Sequence, residues 1–275
     1  MERTETTTEI TTATGRGAGS ERREAPPAPG TPAQLTLGGI LAVWAAATVP
    51  MGLLAWVIAP IVAGRLSGPG ALSRALILAL TAGLVWQFVL VLLLVRHEQG
   101  TLRWRVVREA LWLRAPRSPR TGRRFDRLWL VAPVLLVGVA AKEFVPKLPH
   151  PENLDFHAFL GTAAGHDLLA GAWGWFAVLL VMALFNTVLG EELLFRGYLL
   201  PRMAGTFGRW DWVANGLLFA AYHVHRWWGL PGILLNVFLY SWPAKRYCSA
   251  LVSIAVHSIQ SVVLVVLVLP VVLQG

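Results

Sequence analysis

Cysteine is almost absent: Cys248 is the only one in 275 residues, which excludes an intramolecular disulfide, a CxxC redox pair and a cysteine-built zinc site. No HExxH run occurs either, so the compact helical zinc pair of many peptidases is missing. Charge is scarce as well. Asp, Glu, Lys and Arg make up 14% of the chain against 55% apolar residues, and the mean hydropathy is +0.56, which excludes an ordinary water-soluble domain. The net charge of +9 comes from arginine gathered between apolar runs, an arrangement suited to anionic lipid headgroups; a nucleic-acid partner is not expected.

What the chain does have is apolar length. A bilayer crossing needs about 20 apolar residues, and such stretches occupy 35–63, 71–95, 128–145, 173–200 and 250–269, with shorter ones at 212–225 and 230–242. The pattern predicts an all-α, polytopic integral membrane helix bundle with seven to eight spans. Residues 1–33, rich in Glu, Thr, Arg, Gly and Pro, lack the apolar side chains for a core and are expected to form a disordered cytoplasmic tail, not a cleavable signal peptide. An N-terminal transmembrane region follows at 34–146, then an external loop at 147–170 and a transmembrane core at 171–275.

Loop 96–127 carries the strongest topological signal. Arginines at 96, 103, 105, 108, 114, 117, 120, 123, 124 and 127 face only Glu98, Glu109 and Asp126, so this loop and the N-terminus are assigned to the cytoplasm of a multi-pass cell-membrane protein. Within it, Leu102, Trp104, Val106, Val107, Leu111 and Leu113 alternate with Arg103, Arg105 and Arg108, as in an amphipathic helix lying in the interface. Loop 147–170 holds Glu152, Asp155 and Asp167 and is placed outside. Tryptophans such as Trp173, Trp210, Trp227 and Trp242 mark span ends, the usual interfacial belt.

Ionisable side chains at membrane depth are costly and mark function. Three spans carry them: Glu191 and Glu192 with Arg196, then His223, then His257. At about 1.5 Å per residue, Glu191 and His257 fall at a similar depth, His223 somewhat deeper, and the shared site is expected to open toward the cytoplasm. Glu191 is the expected base for activating water. Glu192 and Arg196 form an i,i+4 pair that orients the helix. Asn186, Asn215 and Asn236 read as bridges between helices, with Asn186 or Asn236 as candidates for supporting the site. His225 with Arg226 reads as an outer interfacial cluster.

Glu191-Glu192-x-x-x-Arg196, Phe219-x-x-x-His223 and a late-span His257 resemble the EExxxR, FxxxH and HxxxN motifs of the CAAX prenyl endopeptidases and bacteriocin-processing proteins, the Abi-like group often called CPBP intramembrane proteases. The resemblance covers about 173–269. It implies an intramembrane endopeptidase cutting near the membrane anchor or C-terminus of a membrane-associated peptide or protein substrate in the lipid bilayer, with Glu191, Glu192, His223 and His257 catalytic and Arg196 and Phe219 supporting. Two mechanisms stay open: zinc held by Glu191, His223 and His257, or metal-free catalysis by glutamate. The chain departs from the family at one place. Ser261 stands where asparagine is expected, and neighbouring Gln260 is the residue able to replace its amide. The alternatives are a non-catalytic scaffold or bacteriocin-immunity-like binding protein of the same fold, and a proton-coupled transporter using the same three groups as a relay.

Overall fold

The computed structural model describes residues 29–118, 120–125 and 127–275; most of the expected tail, 1–28, lies outside the described residues. Among them the secondary structure is helical, with one isolated bridge between Arg117 and Arg124 and no strand. Four helices are long and apolar enough to cross a membrane: α1 (Leu37–Ala63), α2 (Ala71–Gln99), α7 (Trp173–Arg202) and α11 (Ala250–Val272). The remaining crossings read from the sequence are shorter. α4 (Leu128–Lys142) has 15 residues, α9 (Asp211–Tyr222) has 12, and α10, spanning 230–247, is interrupted by a turn at Leu235. At about 1.5 Å per residue, 12 residues give about 18 Å, well short of the hydrocarbon core. Four helices thus meet the length for a full span, and the seven to eight expected are not confirmed.

The seven helices nevertheless alternate in direction between two ends. At one end lie the start of α1, the end of α2, the basic loop, the end of α7 and the turn before α11. Leu35 N donates to Arg202 O at 2.9 Å, Ala33 N to Glu98 Oε1 at 2.7 Å, and Ala250 N to Trp112 O at 3.0 Å. At the other end the acidic loop meets the C-terminus: Gly171 N donates to Val272 O at 3.1 Å and Leu148 N to Trp228 O at 2.9 Å. That loop is folded. Asp155 caps α5 (Phe156–Leu160) by accepting from His157 N and Ala158 N and pairs with Lys147 at 2.6 Å, while α6 (Ala163–Leu169) is capped by Thr162. Burial pushes the Asp155 carboxyl up, but hydrogen bonds from His157 and Lys147 outweigh it and hold it well below the usual carboxylate range.

The amphipathic segment of the basic loop forms α3 (Trp104–Ala110), a single short helix. Trp104 and Leu102 are exposed, whereas Val107, Ala110 and Leu111 are buried, so α3 turns one face to its surroundings and docks the other on the bundle. It packs there because the end of α7 offers a polar clamp. Arg202 is fully buried, pairs with Glu98 at the end of α2, donates to Ala110 O at 3.1 Å and Tyr198 O at 2.8 Å, and stacks on Tyr198. The sequence offered Arg202 only as a positive charge beside the membrane; the clamp is a tertiary property. Elsewhere the outer faces are apolar, with Val134 and Val137 on α4 and Val262, Val266 and Leu267 on α11 exposed as a lipid-facing surface requires.

Removing one partner of a buried ion pair leaves the other charge uncompensated, at a cost of about 3–5 kcal/mol. Arg202→Ala is expected to lower the thermal unfolding midpoint of the detergent-purified protein by several degrees, whereas Arg209→Ala, at an exposed turn, leaves it unchanged; equal midpoints for wild type and Arg202→Ala contradict the clamp.

Candidate active site

α7 is irregular where its acidic pair sits. Two π-helical segments, Phe185–Leu189 and Leu193–Leu199, flank Gly190-Glu191-Glu192, and such wide turns recur at functional sites because they re-aim side chains. Gly190 N donates to Phe185 O at 2.6 Å, and a Cβ at this position would lie 2.5 Å from that carbonyl and 2.9 Å from Leu84 O on α2. Only glycine lets the two backbones approach so closely. The adjacent glutamates then leave the helix about 100° apart and enter different surroundings.

Glu192 turns inward. Its Oε1 accepts from Arg196 Nη1 at 3.1 Å and from His257 Nδ1 at 3.0 Å, so one carboxylate joins the expected i,i+4 pair to α11. Arg196 donates onward to Ser241 Oγ at 3.3 Å, Ser241 Oγ to Asn215 Oδ1 at 3.0 Å, and Asn215 Nδ2 to Phe195 O at 2.8 Å. Its guanidinium also lies 4.0 Å from the Phe219 ring centroid. All members of this chain are buried, and it ties α7, α9, α10 and α11 together. Asn215 is therefore the interhelical bridge its sequence position suggested. Ser241 was not singled out from sequence, and a lone serine in an apolar run gives no signal for such a role.

Glu191 turns the other way, with Oε1 3.5 Å from His223 Nε2 and Oε2 buried without a partner. His223 Nδ1 lies 2.8 Å from Phe219 O, and because a carbonyl only accepts, this nitrogen carries the proton. His223 thus presents an acceptor nitrogen to a carboxylate oxygen. Two acceptors so placed require a shared proton or a bridging water. His257 is oriented by the same logic: Nδ1 donates to Glu192, its ring stacks on Tyr240 at 4.6 Å, and its Nε2 edge is left for the cavity. His225, expected at an outer interface, is instead buried beside His223 with ring centroids 5.8 Å apart.

Glu191, His223, His257 and Phe219 line one cavity of about 650 Å³, which Asn186, Asn236, Gln260 and Ser261 also border; Glu192 and Arg196 stand behind its wall. The cavity runs from Glu191 past Val145, Pro146, Phe156 and Arg226, and therefore extends toward the acidic-loop end. This corrects the expectation that the site opens on the basic side. At the basic end the Arg202 clamp and the pair of buried Asp211 with half-exposed Lys245 lie between the helices.

Neither candidate for the family's missing amide is free. Ser261 Oγ lies 3.0 Å from Thr187 Oγ1 and donates to Ala183 O at 3.4 Å, joining α11 to α7. Gln260 accepts from the Tyr240 hydroxyl at 3.2 Å and donates to Glu143 Oε1 at 3.0 Å, joining α11 to the end of α4. As for zinc, no three His, Cys, Asp or Glu side chains among the described residues come together closely enough to hold a metal ion. His223 reaches Glu191, whereas His257 is held through its Nδ1 by Glu192, and the three side chains do not form such a cluster as arranged.

Because a Cβ on Gly190 meets two backbone carbonyls and no flexible side chain, Gly190→Ala is expected to cost about 1–3 kcal/mol in stability, the range for overpacking, and to displace Glu191. Thermal unfolding in detergent checks this, and an unchanged midpoint contradicts the close approach of α7 to α2.

Residues 173–263 match the family model described as Rce1-like, type II CAAX prenyl endopeptidase Rce1-like. No curated protein and no solved structure matches the chain. The matched stretch, about a third of the chain, contains the charged and imidazole groups that line the cavity from α7, α9 and α11, and over it the protein is similar to the type II CAAX prenyl endopeptidases.

Proposed function

We propose that the protein is an intramembrane endopeptidase in which Glu191 activates water against a peptide bond of a membrane-associated substrate. The observation that carries this reading is the Glu191–His223 pair, 3.5 Å apart, buried and facing a cavity large enough for a peptide segment. A water between Oε1 and Nε2 donates one hydrogen to each acceptor, which turns an oxygen lone pair outward for attack. As the water oxygen bonds to the carbonyl carbon, its proton passes to Glu191. Collapse of the tetrahedral species breaks the C–N bond, and Glu191 returns that proton to the departing amine. His223 holds the water in line, and the Nε2 edge of His257 faces the same space, fixed from behind by Glu192.

The substrate in this reading is a membrane-bound or lipid-attached protein, cut near its anchor or C-terminus. With the basic end in the cytoplasm, as the arginine loop favours, the cavity extends toward the opposite face, and cleavage falls on the outer half of the membrane. A relay transporter needs its ionisable groups strung along a path; here they border a single cavity, which favours hydrolysis.

Glu191→Gln is nearly isosteric and removes the base. Membrane-protein termini compared by proteomics in cells carrying wild-type or Glu191→Gln chain are expected to include a set that disappears with the substitution, at a rate lowered about 10²–10⁴-fold. Identical termini in the two strains favour the non-catalytic scaffold.

A further inference from the structure

Asn236 sits on α10 one turn before Tyr240, the residue stacked on His257. It is 3% exposed and borders the cavity that holds Glu191 and both histidines. Its Oδ1 is buried with no hydrogen-bond partner. A buried amide oxygen left without a partner costs about 1–3 kcal/mol. Three other uncharged polar side chains around the site do have partners: Asn215 bridges to Phe195 O, Gln260 to Tyr240 and Glu143, and Ser261 to Thr187 and Ala183 O. An orphaned acceptor beside a catalytic pair is the signature of a group whose partner arrives with the ligand.

Resting on the peptidase reading above, we propose that Asn236 is the backbone anchor for the substrate, its carboxamide oxygen accepting a main-chain N–H of an extended peptide segment in the cavity. A carboxamide matches a peptide group in kind, which suits a ligand recognised by its backbone. A main chain in extended form is the one whose N–H groups are unpaired, since a helical segment keeps its own internal bonds. Leu84, Val139, Met182 and Leu264 line the same cavity, which suits apolar side chains in the segment whose N–H is anchored. The substrate class is thus a locally unwound, apolar stretch of a membrane-associated protein entering from the acidic-loop end. Fixing one N–H positions the next carbonyl against the Glu191–His223 water, and a positional error of about 1 Å there costs about 10²-fold in rate.

The test pairs a stability measurement with a cellular one. Asn236→Leu keeps the volume and removes the orphaned acceptor; Asn236→Ala guards against a packing clash. In detergent, Asn236→Leu is expected to unfold at or above the wild-type midpoint, because a desolvated polar group has been deleted, while the Glu191-dependent termini are produced at least about tenfold more slowly. The same tenfold loss is expected for Asn236→Ala, with the chain still folded. Two results overturn the anchor: midpoints lowered in both variants, which makes Asn236 a structural bridge, or Glu191-dependent cleavage at the wild-type rate in either variant. If no terminus depends on Glu191 at all, the peptidase reading falls by itself, and the proposal falls with it however Asn236→Leu melts.

Discussion

A buried carboxylate, Glu192, is the interaction on which the site depends. Placed at membrane depth and fully buried, it is tolerable only because Arg196 and His257 share its Oε1. That double use joins α7 to α11, and the onward bonds through Ser241 and Asn215 bring in α10 and α9. The network does not itself border the cavity. It forms a rigid back wall, and the wall decides which edge of His257 faces inward and which way Phe219, packed under the Arg196 guanidinium, turns the His223 ring. With its twin carrying the structural load, the neighbouring glutamate is left facing the cavity beside His223.

The same division runs along the whole molecule. The basic end is closed by ion pairs, Arg202 with Glu98 and Lys245 with Asp211, each with at least one fully buried member. The acidic end is built from short capped helices around Asp155, and it is toward this end that the cavity extends. Closing one end and opening the other gives a space reached from one side, as a peptidase needs if its reactive water is to stay apart from the bulk.

Much of this was legible beforehand because membrane depth restricts what polar residues can be doing. The helical class, the alternation of basic and acidic ends, the Glu192–Arg196 pair and the gathering of Glu191, His223 and His257 at one cavity all follow from composition, spacing and burial cost. Other features had no local signal. The number of full spans is not settled by composition, because α4, α9 and α10 are apolar but shorter than the four long helices. Glu191 and Glu192 were separable by their roles in sequence, but the π-helical turns that flank them leave no mark on hydropathy. Asn215 and Asn236 both read as bridges between helices; only the fold shows that the first reaches a carbonyl while the oxygen of the second has no partner. The side on which the cavity opens depends on what fills the space between helices at each end, which no single segment encodes.

The central claim is that the Glu191 side of α7 faces a water-filled cavity open at the acidic-loop end. A single cysteine at 186 in a Cys248→Ser background, in sealed vesicles, tests it without any substrate: a charged, membrane-impermeant thiol reagent is added from each side in turn. The account predicts labelling of Asn186→Cys from the acidic-loop side and protection from the basic side. Labelling from the basic side, or from neither, contradicts it.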